Sequence, residues 1–119
     1  MIFDLLQDRD LEELLDKSKT DPVLIFKHST QCPISTQAYE EFAEFVESVQ
    51  GLVCGTVLVI ENRKLSNSIA ERFGVRHESP QAILIKDGRV TWHASHWSIS
   101  PDSLREALAK NAQSTHQRN

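Results

Sequence analysis

The chain is poor in cysteine, with only Cys32 and Cys54 among its 119 residues. Two cysteines are too few for a disulfide framework, and their 22-residue separation matches no zinc-ligand spacing. Long apolar runs are missing too: none approaches the roughly 20 residues that a membrane-spanning helix needs. Positive charge is not in excess. Thirteen Lys and Arg against 17 Asp and Glu leave a net charge of -4, which argues against nucleic acid or an anionic membrane as the main partner. The start, Met1-Ile2-Phe3-Asp4, lacks the basic and apolar regions of a secretory signal, so the cytoplasm is the expected compartment. Repeats, linkers and low-complexity segments are absent. What remains, 39% hydrophobic and 25% charged, describes one globular domain over residues 1–119 with a single core.

Periodicity places the elements. Asp10 to Lys19 reads as a helix with Leu11, Leu14 and Leu15 on one face, and Asp21-Pro22 ends it. Val23 to Phe26 follows as a short apolar strand of the kind buried on both faces. Pro33 opens a second helix, striped by Ala38, Phe42, Phe45, Val46 and Val49 and stopped at Gly51. Thr56 to Glu61 reads as a strand, Leu65 to Phe73 as a helix, and Ala82 to Ile85 as a strand after Ser79-Pro80. Asp87-Gly88 then joins that strand to another, Val90 to Trp97, as a hairpin. Ser100-Pro101-Asp102 caps a last helix, and 111–119 is expected to be a frayed polar tail. A weaker strand is placed at Ile2 to Leu6. The order, (β)α-β-α-β-α-β-β-α, is an α/β arrangement closed by an antiparallel hairpin and a helix.

Within it, Cys32 stands between a strand and a helix. At the N-cap of the helix that Pro33 begins, its sulfur faces the unpaired N–H groups of Ile34 and Ser35 and the positive end of the helix dipole. Both favour the thiolate, the form that attacks. Ser35, one turn on, is placed to donate its hydroxyl to that sulfur. A serine at this position cannot close a disulfide, so C-x-x-S implies chemistry with one thiol and an outside resolving partner. Lys27 and His28 are the nearest candidate cations. Lys27 reads as a solvated strand-end residue, and His28 as either a core-edge hydrogen bonder or a site residue. Cys54 reads as a buried small hydrophobe rather than a resolving cysteine.

Three separated stretches, "FKHSTQCPIS", "GVRHESPQAILIKDGRV" and "SHWSIS", resemble the YtxJ-type monothiol bacilliredoxins of the thioredoxin-like superfamily. The resemblance spans nearly the whole chain. It implies a thioredoxin-like fold, a central mixed sheet of four to five strands flanked by helices on both faces. It also implies a cytoplasmic monothiol thiol–disulfide oxidoreductase that removes bacillithiol from S-bacillithiolated proteins. Cys32 would then be the attacking thiol. The Ser79-Pro80 bond, trans by default for these residues alone, would be cis, with Ser79 offering backbone hydrogen bonds to the adduct. His96, Trp97 and Ser98 would form a wall of the bacillithiol pocket; alternatively, Trp97 packs the core edge and His96 is solvated. No metal or bound prosthetic group is implied, only bacillithiol as co-substrate, with a second small thiol or a dithiol reductant to release Cys32. The rival readings are a thioredoxin-like module that binds or senses without turnover, and a peroxide-reducing thiol.

Overall fold

The computed structural model describes the backbone of residues 1–117 and side chains through Lys110. In chain order the elements are β1 (Ile2–Asp4), α1 (Asp8–Lys17), β2 (Val23–His28), α2 (Pro33–Ser48), β3 (Val53–Leu58), α3 (Arg63–Phe73), β4 (Gln81–Lys86) and β5 (Arg89–Ser95). A 3-10 turn (His96–Ser98) and α4 (Pro101–Gln117) complete the chain. The side chains of the expected polar tail, 111–119, lie outside the described residues.

The five strands form one sheet in the order β1-β3-β2-β4-β5. β1 and β2 both run parallel to β3, whereas β4 is antiparallel to β2 and to β5. β2 is therefore central and loses water on both faces, which its unbroken apolar run requires. Alternate side chains divide between two cores. Leu24 and Phe26 pack with Phe42, Phe45 and Val46 of α2 and Leu104 and Ala107 of α4. Val23 and Ile25 pack with Leu11, Leu14 and Leu15 of α1 and Leu65 and Ile69 of α3. Two helices thus cover each face.

Three boundaries differ from the sequence reading in ways that matter for the site. β2 extends to His28, so Lys27 and His28 are paired and buried strand residues, whereas the sequence reading puts Lys27 at a solvated strand end. β3 begins at Val53, three residues before the expected start. The apolar stretch Leu52 to Ile60 is longer than the strand, and pairing with β1 and β2 sets which part of it is used. β5 stops at Ser95, and His96, with φ 53°, turns the chain into the 3-10 segment. The Asp87-Gly88 hairpin is present, with positive φ at both residues as a two-residue type I′ loop needs. Gly55 of β3 has a separate reason: a Cβ there would lie 2.7 Å from the buried side chain of Leu5. Among the described residues no helix is long and apolar enough to cross a membrane.

Candidate active site

Cys32 occupies the N-cap of α2 in extended conformation (φ -108°, ψ 118°), with Pro33 as the first helical residue. Its carbonyl accepts the first helical bond from the Thr36 N–H at 3.0 Å, and the Thr36 hydroxyl also donates to it at 3.2 Å. The Cys32 N–H donates to the Ser29 carbonyl at 3.3 Å, closing the turn between β2 and α2. The residue is half-buried and lies outside both core clusters.

Ser35 does something other than expected. Its buried hydroxyl lies 2.8 Å from His28 Nδ1 and accepts the Ser29 N–H at 3.0 Å. No hydrogen bond to Cys32 is among those of the described residues; the serine ties the first turn of α2 to the end of β2 instead. The reason is geometric: β2 runs on to His28, which brings that ring under the helix start. His28 stacks on Tyr39 at 4.7 Å between ring centroids. Burial holds its pKa below the ordinary histidine value, against the opposing charge of Glu61 and its bond with Ser35.

Lys27 corrects the sequence reading more sharply. It is fully buried on the α1–α3 side of the sheet, not solvated. Its Nζ lies 3.2 Å from His77 Nδ1, and desolvation lowers its pKa to about 8.

On the other side of the thiol loop, the Ser79-Pro80 peptide is cis, as the resemblance implied and the residues alone did not. The β2–β4 ladder ends with Lys27 opposite Gln81, so buried Pro80 follows at the level of His28, where the loop to Cys32 begins. The Pro80 carbonyl accepts the His96 N–H at 3.0 Å, linking this turn to the 3-10 segment. The Ser79 hydroxyl is buried and has no hydrogen-bond partner among the described residues. Such an atom is rare unless a ligand or water completes it.

His96 and Trp97 line a cleft of about 100 Å³ with Ile34, Gln37, Ala38, Glu41 and Ile99. Trp97 is 73% exposed, which excludes packing at the core edge. Ser98 is not among the lining residues; its carbonyl accepts from the Ser103 hydroxyl at the start of α4. Gln37 and Glu41 escaped the sequence reading, although their spacing from Ile34 puts them on one helix face. His77 also escaped it, inside a quoted motif but without an assigned role. A larger depression, about 260 Å³, lies by the β4–β5 turn among Glu12, Lys19, Arg72 and Asp87, at the opposite end of β2 from the thiol loop.

Cys54 is fully buried in β3, and burial pushes its thiol pKa well above the ordinary value. It pairs with Leu24, four residues before His28. At about 3.3 Å per strand residue it lies about 13 Å short of the strand end, beyond the roughly 7 Å Cα separation that a disulfide tolerates. Among the described residues no group of three or more His, Cys, Asp or Glu is spaced to hold a metal ion.

Residues 4–104 match the family model described as monothiol bacilliredoxin BrxC. A solved structure described as a candidate oxidoreductase with a thioredoxin fold is 32% identical, covers 89% of this chain and 92% of its own, and superposes with a TM-score of 0.82. Thioredoxin from Fasciola hepatica (20% identity, TM-score 0.72, 90% of this chain and 96% of that one) shares the fold. So does thioredoxin from Trypanosoma brucei brucei (13%, TM-score 0.75, 95% and 92%).

Proposed function

The chain belongs to the monothiol bacilliredoxin family and is a thiol–disulfide oxidoreductase, and from that premise we propose that it removes bacillithiol from S-bacillithiolated proteins of the cytoplasm. The observation that carries this reading is the pairing of one accessible cysteine at a helix N-cap with a second cysteine sealed out of reach. A protein built this way exchanges disulfides only with something outside itself.

In the first step the Cys32 thiolate attacks the bacillithiol sulfur of the mixed disulfide. A Cys32–bacillithiol disulfide forms, the original S–S bond breaks, and the substrate cysteine leaves as a thiolate that takes up a proton. In the second step another bacillithiol thiolate, or a dithiol reductant, attacks the new disulfide and releases Cys32. Cys32 is thus the attacking sulfur in the first step and the leaving sulfur in the second.

Ser79 and Pro80 supply the wall opposite the sulfur. The Ser79 backbone groups are assigned to the adduct; the buried Ser79 hydroxyl, unpartnered among the described residues, lies just behind them. Trp97 offers an exposed indole face to the sugar ring. His96, Gln37 and Glu41 offer donors and acceptors around it; Ser98 stands at the margin.

The test is intact mass and turnover. Incubation with oxidised bacillithiol should give one adduct, located on Cys32. The Cys32→Ser variant should release no bacillithiol from a model protein mixed disulfide. Release by that variant at the parent's rate would reject the assignment. Equal turnover of glutathione and bacillithiol adducts would reject the bacillithiol preference alone.

A further inference from the structure

Lys27 poses a problem that the exchange reaction does not solve. It lies wholly within the molecule on the central strand, in line with Val23 and Ile25, where an aliphatic side chain would suit the packing. No carboxylate lies within ion-pair distance of it among the described residues. The charged and titratable groups nearby are His77, then Arg63 and Glu78 around that imidazole, and His28 with Glu61 on the other face of the strand. An ammonium buried without an anion is destabilising, and a group retained at such a position points to a task other than stability.

Its one described hydrogen-bond partner shows the task. His77 Nδ1, 3.2 Å from Lys27 Nζ and 3.3 Å from the Ser66 hydroxyl, lies three residues before Pro80 in the segment joining α3 to β4. The ends of that segment are tied by Val75 N–H to the Ala70 carbonyl and by the Gln81 side chain to the Arg76 carbonyl. Lys27 holds its middle, and the next two residues of the chain, His28 and Ser29, hold Ser35 and the thiol loop. One end of β2 therefore grips both walls of the active site, on opposite faces of the sheet.

We propose that Lys27 is a positioning residue, which through His77 fixes the 75–80 segment against β2 so that Ser79 and Pro80 stand at a set distance from Cys32. The inference rests on the role given above to Ser79 and Pro80. The contact needs an unprotonated Nδ1 on His77 and is strongest with a charged Lys27, so it loosens towards acid and towards alkali.

The Lys27→Met variant, similar in length and uncharged, separates this role from a structural one. It should unfold at a higher temperature than the parent yet show about tenfold lower kcat/KM, the scale of one lost charge-assisted hydrogen bond. The parent's activity should fall on an alkaline limb near pH 8, and the variant's should not. The His77→Ala variant, altered at an exposed ring, should reproduce the loss if Lys27→Met does not fold. Amide exchange over residues 75–80 should quicken about tenfold in either variant. That readout is independent of turnover, so it stands even if the parent acts on no mixed disulfide and the functional reading falls. Unchanged exchange in this segment, or a Lys27→Met protein with parental kcat/KM, would overturn the proposal.

Discussion

Two sulfur atoms of the same chemical type have opposite fates in this chain because of the backbone beneath each. Cys32 ends a turn at a helix start and keeps contact with solvent, whereas Cys54 is enclosed by three strands and the core of α2. Replacing Cys54 by alanine should therefore leave most of the mixed-disulfide turnover, with a stability cost of about 1 kcal/mol from the small void. Kinetics and a urea titration of that variant read both; a loss of turnover comparable to that of Cys32→Ser would mean that the buried thiol takes part. Cys32 was legible in the sequence because Pro33 marks the helix start in the next residue. Lys27 was not. A lysine after an apolar run reads as solvated, and only the pairing of β2 with both β3 and β4 shows that the strand continues past Phe26. The Ser35–His28 bond was hidden for a related reason, since it depends on where the strand ends relative to the helix.

At the level of the elements, alternation along β2 and the stripes of α1 and α2 were readable, but the phase of β3 was not. Every residue from Leu52 to Ile60 except Gly55 and Thr56 is apolar, so the period of two has little to act on. Gly55 is the better marker in hindsight: it sits where Leu5, just after β1, crosses β3. Gly55→Ala should destabilise the protein by about 1–3 kcal/mol through overpacking, measured as a lowered urea midpoint. An unchanged midpoint would show that Leu5 can move aside freely. The His96 turn was hidden as well, because His96 adopts positive φ without being glycine or asparagine, and the sequence reading carried the strand to Trp97.

For the molecule as a whole, the two faces of the sheet respond to pH through groups that burial disturbs. His28 and His77 both have pKa values held below the usual 6.5 by desolvation. Near that pH the unfolded chain takes up protons that the folded one does not, so stability is full above about 6.5 and falls as the pH drops towards the folded values. Lys27, ordinarily near 10.5 and here about 8, acts in the same sense at higher pH: stability rises between these two values as the unfolded chain alone stays protonated. Urea midpoints from pH 5 to pH 10 should therefore climb in two stages, and a flat profile would contradict the burial of Lys27 and His28. The separation of the two cysteines carries a further consequence, for how such a molecule senses its surroundings. A protein that closes its own disulfide releases two small thiols, so its oxidised share depends on how concentrated the thiol pool is. Here one mixed disulfide forms and one small thiol leaves. The oxidised share then follows only the ratio of small disulfide to small thiol, and diluting or enlarging the pool at constant ratio leaves it unmoved.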